Sequence, residues 1–593
     1  MEFEQKAEEK KMSMSKNIAR LAVTAGLTAA LSFGGVMAPV TMAFAAEGVP
    51  TVATERGKVL ITDPDTEYAD TSFKGIQIFT AKITQNKDGN TWSGDKTLSD
   101  IQWAPGNVKT LVMTALKDVP GVPNVNEDAQ TWAEFISTTQ GSNYGETTAV
   151  DNGTVLDLIA EALEGGKTLT WTQPSNSSKG NFESLDQGYW LFVTDVPSKT
   201  GNTDAYTSPI FTIVGGSDVN VAPKKSVPNV TKAVKDDNNG SFVTDRNKDV
   251  FEAPNRVADS ASDQLVEYQL AGTVASNINT YNEYSYTFTD DLPSTMVPEL
   301  VNDKPVVKVK IGDKAVEPKY YDAQYNTAKN KLVVSFGNLK KEIKSDKDEV
   351  ITVSGSSKIY VNYKAKLDPT KVKADMLGKG QKNTVTLTYS NNPHSTETGT
   401  TVVHPAYDYT YGIDVTKVGD EETPKKLSGV VFKLQEKNGG TVEDEYIDAN
   451  GVKQANAENA KLTTTEDGKI SVIGLDEGTY VLTEVTPAPG YDNSHGNKGI
   501  TFTITRGTLS ESDATVVNPA VAVTDGDNTG LVKAENSTDG MVHLTVTDKK
   551  GSGLPLTGLN GVTFTWIAGG AVLCIGVAHL IRSRKQAEES EQE

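Results

Sequence analysis

The chain has 593 residues, of which 78 are acidic and 57 are basic, and its formal net charge is -21 at pH 7. A polyanion repels nucleic acid and anionic membrane surfaces, which argues against both as partners. The single cysteine, Cys574, lies in an apolar stretch near the C-terminus, so the preceding chain has no disulfide and no cysteine-ligated metal. The five histidines lack the paired spacing of a metal site, and no nucleophile elbow or phosphate-binding loop is present. We therefore expect no metal, no cofactor and no enzyme.

The N-terminal residues have the pattern of a secretory signal. Lys16 and Arg20 precede an apolar stretch at residues 21–40, and small residues suited to signal peptidase follow at residues 43–46. Residues 1–45 are therefore predicted to be a signal peptide. The length of the exported remainder predicts two to four domains.

Short alternating strands, separated by Gly, Asn and Asp turns, dominate the rest of the chain. Residues 385–389 and 500–504 are clear examples, and this period of two predicts β-sandwiches. Amphipathic helices are predicted only at residues 107–116 and 155–163, as insertions in the first third. Proline-bearing linkers at residues 222–228 and around Pro405 divide the exported chain. The predicted domains are residues 46–222, 223–405 and 406–550.

The last segment, residues 551–593, combines a short motif with an apolar run. The motif is Leu554, Pro555, Leu556, Thr557 and Gly558. The apolar run at residues 562–581 has the length of a membrane-spanning helix, and basic residues follow it. This arrangement resembles a sortase sorting signal. The resemblance implies cleavage between Thr557 and Gly558 and transfer of the threonyl group to an amine; the alternative is a permanent single-pass anchor with a coincidental motif.

In the third domain, the sequence YVLTEVTPAPGY at residues 480–491 resembles the E-box of Gram-positive pilins and collagen-adhesin B-type domains. In that family a lysine on the first strand bonds to an Asn or Asp on the last strand, with the E-box glutamate between them. The resemblance implies Lys417, Asp548 and Glu484 in these roles. Burial favours a neutral, nucleophilic amine and a protonated glutamate, so an isopeptide bond is expected to form without an enzyme. The alternative is a surface Lys417 and a turn Asp548.

The middle domain resembles the second domain of fimbrial shaft proteins. The similarity lies in VTK at residues 230–232, YTFTDDLP at 286–293 and NTVTLTYSNNP at 383–393. It implies that Lys232 bonds to an asparagine with the help of Asp290. Asn383 is the favoured acceptor and Asn391 the second choice; the alternative is that both asparagines only form a turn.

The junction VNVAPKK, residues 219–225, is similar to the linkage motif of shaft pilins, with Ala222 in place of the usual tyrosine. The resemblance implies that the Lys224 amine receives the threonyl group of the next subunit. Lys225 is the competing candidate, and a solvated linker lysine is the other interpretation. Pro223 lacks a backbone donor and fixes its own φ, which favours an exposed edge for Lys224.

Taken together, the chain resembles sortase-assembled major pilins, also called shaft or backbone pilins. The implied fold is mainly β, with tandem immunoglobulin-like sandwich domains of the collagen-adhesin A- and B-types and a C-terminal transmembrane sorting helix. The implied partners are a class C pilin sortase, a housekeeping sortase, other copies of the chain, accessory pilins, peptidoglycan and host receptors. The implied location is the cell wall, in surface fimbriae. The alternative function is a monomeric wall-anchored adhesin of the same domain types, and the residues leave open whether the first domain has its own isopeptide.

Overall fold

The computed structural model describes residues 48–62, 70–140, 149–199, 204–235, 242, 256–492, 496–506, 508–510, 515–517, 520–524, 530–535 and 540–551. The predicted signal peptide, the sorting motif and the apolar run after it lie outside these residues. Within them, no helix has both the length and the hydrophobicity needed to cross a membrane. The described chain is mainly β, as predicted.

The first domain has two sheets and three helices. A five-stranded sheet has the order β1-β3-β6-β7 with β4 also paired to β3, and a smaller sheet has the order β5-β2-β8. The strands are β1 (Val49–Val52), β2 (Gly57–Ile61), β3 (Ser72–Asp88), β4 (Thr91–Trp103), β5 (Asn181–Leu185), β6 (Gly188–Val196), β7 (Ile210–Val214) and β8 (Val219–Val221). The helices, all between β4 and β5, are α1 (Val108–Leu116), α2 (Ala129–Gln140) and α3 (Val155–Glu164).

Helices α1 and α3 confirm the two predicted insertions. In α3 the apolar side chains of Val155, Ile159 and Leu163 are buried, and Thr154 caps the N-terminus by accepting a hydrogen bond from the Asp157 backbone. Helix α2 was not predicted, because its β-branched threonines and polar residues weaken the apolar periodicity. It is held by burial of one face, on which Trp132 and Ile136 lie one turn apart.

The middle domain is a sandwich of two large sheets. One has the order β10-β25-β23-β12-β19-β18, and the other has the order β17-β16-β22-β11-β9. The strands are β9 (Val230–Lys235), β10 (Val257–Asp259), β11 (Val266–Thr273), β12 (Tyr286–Asp291), β13 (Met296–Pro298), β14 (Leu300–Val301), β15 (Lys304–Pro305), β16 (Val307–Ile311), β17 (Lys314–Ala315), β18 (Asp322–Asn326), β19 (Lys331–Phe336), β20 (Ile343–Lys344), β21 (Val350–Ile351), β22 (Lys358–Leu367), β23 (Gln381–Ser390), β24 (Thr398–Thr400) and β25 (His404–Tyr409). Alternate side chains of β12, β22 and β23 are buried, as expected for strands with one face on a core.

The third domain is a second sandwich. Its sheets have the orders β32-β26-β40-β34 and β30-β29-β27-β33-β35-β38. The strands are β26 (Tyr411–Gly419), β27 (Val431–Asn438), β28 (Thr441–Val442), β29 (Tyr446–Ile447), β30 (Lys453–Gln454), β31 (Leu462–Thr463), β32 (Lys469–Leu475), β33 (Gly478–Thr486), β34 (Tyr491–Asp492), β35 (Ile500–Thr505), β36 (Thr508–Ser510), β37 (Thr515–Val517), β38 (Ala520–Thr524), β39 (Val532–Glu535) and β40 (Met541–Lys550). The first strand, β26, and the last, β40, are parallel neighbours. Residues far apart in sequence are thereby placed side by side.

A buried histidine joins the first and middle domains. His394 follows β23, and its Nε2 lies 2.9 Å from Asp157 Oδ1, while its Nδ1 bonds to Glu164. Burial alone would lower the pKa of His394, but the hydrogen bonds to these two carboxylates outweigh it and raise the pKa to about 9. We call these three residues the interdomain histidine cluster.

Candidate isopeptide sites

The register of the third domain brings Lys417 and Asp548 together. Lys417 on β26 is paired with Val546 on β40, and Gly419 is paired with Asp548. Because residues two apart on a strand face the same way, the Lys417 and Asp548 side chains both point between the sheets. Glu484 approaches from β33 of the opposite sheet. All three side chains have no solvent exposure.

Inside this site the lysine contacts both carboxyl groups. Lys417 Nζ hydrogen-bonds to Asp548 Oδ1 and lies 2.9 Å from Glu484 Oε2. The Phe432 ring, 5.8 Å from Nζ, contributes an apolar wall. An amine, an acceptor carboxyl and a second carboxyl are thus within reach of one another in a site with no solvent exposure.

The buried glutamate is tuned to exchange protons near neutral pH. Burial raises the pKa of Glu484 to about 7, although Lys417 opposes the rise. The Gly496 backbone packs closely against this carboxyl group, since a Cβ at that position would lie 2.7 Å from Glu484 Oε2. The site is closed to solvent, and its glutamate can act as both acid and base.

The middle domain has a second buried lysine in a related setting. Lys232 on β9 hydrogen-bonds to Asp290 on β12, and neither side chain is exposed. Burial lowers the pKa of Lys232 to about 8 against the opposing effect of Asp290, and burial also raises the pKa of Asp290. Both shifts favour the neutral amine and the neutral carboxylic acid that attack on an amide requires.

The two candidate acceptors of the middle domain occupy different places. Asn383 on β23 is fully buried, and its Nδ2 donates a 2.9 Å hydrogen bond to the Tyr363 hydroxyl, which also accepts one from Lys232. Asn391 instead donates to Asp204 of the first domain, at 3.0 Å. Asn383 is thus the asparagine that lies in the lysine site.

Lys224 and Lys225, in the linker before β9, differ in their contacts. The Lys225 ammonium donates to Thr71 Oγ1 at 3.3 Å. The Lys224 side chain is half-buried and has no hydrogen bond or ion pair within the described part of the chain, while its carbonyl accepts from the Ser208 backbone. Thr557 lies outside the described residues.

Three lysines are buried among the described residues, and the first domain contributes Lys96. Its ammonium donates to the carbonyls of Ile213 and Ser217, at 3.2 and 2.7 Å. It hydrogen-bonds to no Asn or Asp side chain in the described structure, unlike Lys232 and Lys417. The described residues also contain no group of three His, Cys, Asp or Glu side chains that could hold a metal ion.

Residues 412–519 match the family model described as the SpaA prealbumin-like fold domain. The strand β40, which carries Asp548, follows the matched range. The search of curated proteins found no match.

Similar solved structures include the full-length major pilin SpaD from Corynebacterium diphtheriae, at 14% identity over 84% of this chain and 98% of that one, with a TM-score of 0.45. The T6 backbone pilin of serotype M6 Streptococcus pyogenes has the same identity and coverages and a TM-score of 0.46. The full-length major pilin RrgB from Streptococcus pneumoniae is 12% identical over 65% of this chain and 88% of that one, with a TM-score of 0.38.

Proposed function

We propose that this protein is the structural shaft subunit of a covalent surface fibre, and that two self-formed isopeptide bonds brace it. The observation that carries this proposal is the burial of two lysines between strands that are far apart in sequence. Lys232 lies beside Asp290, and Lys417 lies beside Glu484 and Asp548. Burying ionised groups costs free energy even when they are paired. Conversion of the lysine to a neutral amide would remove its charge in each site, and in the third domain it would also remove the charge of Asp548.

In the third domain the bond would form between Lys417 Nζ and Asp548 Cγ with loss of water. The ammonium gives a proton to the Asp548 carboxylate, and the neutral amine then attacks Cγ. Glu484 accepts a second proton from the nitrogen and passes one to the departing hydroxyl, so it ends as it began. Preorganised contact of this kind lowers the activation barrier by roughly 7–11 kcal/mol.

In the middle domain the bond would form between Lys232 Nζ and Asn383 Cγ with loss of ammonia. Asp290 takes a proton from the Lys232 ammonium, and the neutral amine that results is nucleophilic. The Lys232 strand, β9, and the Asn383 strand, β23, belong to opposite sheets, so the bond would cross the sandwich.

Fibre growth requires an accessible amine, and the linker offers Lys224. Its neighbour Lys225 is engaged with Thr71, whereas the Lys224 ammonium is uncommitted within the described structure. The proposed linkage joins Lys224 of one copy to Thr557 of another through a class C pilin sortase. A housekeeping sortase would attach the finished fibre to peptidoglycan, with accessory pilins and host receptors as further partners.

The test has two measurements. The intact mass of the ectodomain should be lower than that of the linear chain by one water and one ammonia, and an unmodified mass would reject the isopeptide proposal. A blot of boiled wall extract should show a high-mass ladder. A single band would instead indicate a monomeric wall-anchored adhesin.

A further inference from the structure

One hydroxyl group lies at the centre of the middle-domain site. Tyr363 on β22 donates to Asp290 Oδ1 at 3.1 Å. The Tyr363 hydroxyl oxygen also accepts hydrogen bonds from Lys232 Nζ at 3.1 Å and from Asn383 Nδ2 at 2.9 Å. Tyr363 therefore contacts the attacking nitrogen, the departing nitrogen and the carboxyl group.

We propose that Tyr363 is a catalytic residue of the middle-domain reaction, and that its hydroxyl relays a proton from Asp290 to the departing nitrogen of Asn383. This inference rests on the proposed isopeptide bond.

The need for a relay follows from the leaving group. An amide nitrogen departs only when it is protonated, because the amide anion is far too basic to leave. The hydrogen-bond partners of Asn383 Nδ2 in the described structure are the Tyr363 hydroxyl and, at 3.7 Å, Met296 Sδ. No carboxyl group hydrogen-bonds to that nitrogen, so Asp290 reaches it through Tyr363.

The steps balance without any other reactant. Lys232 first gives one proton to Asp290, and its neutral amine attacks Asn383 Cγ to form the new C–N bond. Asp290 then protonates the Tyr363 oxygen as that hydroxyl gives its own proton to Nδ2. The C–Nδ2 bond breaks with its electron pair on nitrogen. The new amide nitrogen loses its remaining surplus proton to Asp290, which passes it to ammonia, so ammonium leaves and both Asp290 and Tyr363 are restored.

The surroundings keep the phenol neutral and fixed. Burial raises the pKa of Tyr363 well above its ordinary value, so the hydroxyl retains the proton that it must give. The ring is stacked on Tyr268, with centroids 5.3 Å apart and an angle of 14° between the planes. Removing the hydroxyl alone should leave the ring in place.

The third domain differs from the middle domain in its leaving group. Its acceptor, Asp548, releases water, and the Lys417 ammonium contacts both Asp548 and Glu484 directly. Asp548 lies close enough to Glu484 to raise its pKa, so a carboxyl group is already beside the departing oxygen and no bridging hydroxyl is needed.

The test is the rate of ammonia loss in Tyr363→Phe, followed by intact mass at times after pulsed synthesis of the ectodomain. We expect the rate to fall about 100-fold, within the range that a positioned proton-transfer group contributes. Loss of water at Lys417 and Asp548 should proceed normally and serves as the folding control. Tyr281→Phe is the matched variant, because Tyr281 is equally buried in the same core and its hydroxyl has no hydrogen-bond partner in the described structure. It should lose ammonia at the normal rate.

A second variant keeps the contacts and changes only the chemistry. Difluorotyrosine at position 363 preserves the ring and hydroxyl but makes the phenol more acidic, so a relay predicts a changed rate and pH profile, whereas a purely structural role predicts neither. Normal ammonia loss in Tyr363→Phe would reject the relay and leave the isopeptide bond intact. If the unaltered protein never loses ammonia, the bond itself is absent and both proposals fail.

Discussion

Replacing Glu484 by glutamine should separate the third-domain bond from the fold around it. Glutamine has nearly the same shape but cannot exchange a proton, so the Lys417 contact with Asp548 would persist while the bond fails to form. The water deficit should then be absent when the intact mass is compared with the mass calculated for the variant's own sequence, and the ammonia deficit of the middle domain should remain.

The expected loss of stability follows from the length of chain that the bond would close. Lys417 and Asp548 are 131 positions apart. A cross-link over such a loop removes denatured-state entropy worth about 5 kcal/mol at room temperature in the chain-entropy treatment. For a domain of this size, the loss should lower the melting temperature by roughly 15 °C.

Calorimetry of the two ectodomains, together with their masses, measures both effects. Glu436→Gln is the control, because Glu436 is a partly exposed carboxylate of the same domain, paired with Lys453; it should change stability by less than about 0.5 kcal/mol. An unchanged mass in Glu484→Gln would remove Glu484 from the chemistry. Loss of the bond with no shift in melting temperature would contradict the entropic argument.

Three further predictions concern the linker, the tail and the domain junction. Lys224→Arg should abolish the high-mass ladder, because a guanidinium stays protonated, while Lys225→Arg should polymerise normally; the reverse result on a blot would move the linkage by one residue. Thr557→Ala should leave the chain exported but absent from muramidase-released wall material, and normal recovery there would reject the sorting signal. The raised pKa of His394 means that its stabilisation of the junction is complete below about pH 6.5 and is lost as pH rises through about 9, an effect of about 3 kcal/mol. Melting of the ectodomain across this window should show the decline, and His394→Asn should flatten it; an equal decline in that variant would show that another group titrates.

The sequence could predict the lysine and carboxyl residues of the third-domain site, but it could not predict Tyr363 of the middle-domain site. The E-box resemblance singles out Glu484, and the first-strand and last-strand motifs single out Lys417 and Asp548. Nothing in the alternating pattern of β22 distinguishes the inward Tyr363 from the inward Val361. Its proposed role depends on register, which pairs Tyr363 with Tyr268 on β11 and so brings it beside the β9 lysine.

Three-dimensional packing also separates Asn383 from Asn391. Both lie in one polar motif, and local chemistry favours turns for either. Asn383 falls on the inward face of β23, while Asn391 comes one residue after that strand ends, beside the first domain. Helix α2 shows the same limit, because burial of Trp132 against the first-domain core outweighs a weak local pattern.

The proposed linkage and bonds would leave the first domain outside the segment that carries load in a fibre. In a fibre, tension would enter a subunit at Lys224 and leave at Thr557, so residues before Lys224 lie outside the loaded segment. From Lys224 the load would run along β9 to Lys232 and cross the bond to Asn383. It would then continue through the rest of β23, β24, β25 and β26, cross the second bond and leave through the end of β40. The strands bypassed by each bond would carry no tension. Pulling on the fibre would therefore not unfold either sandwich. Lys96, which donates to backbone carbonyls and to no Asn or Asp side chain among the described residues, lies in the domain that this path omits.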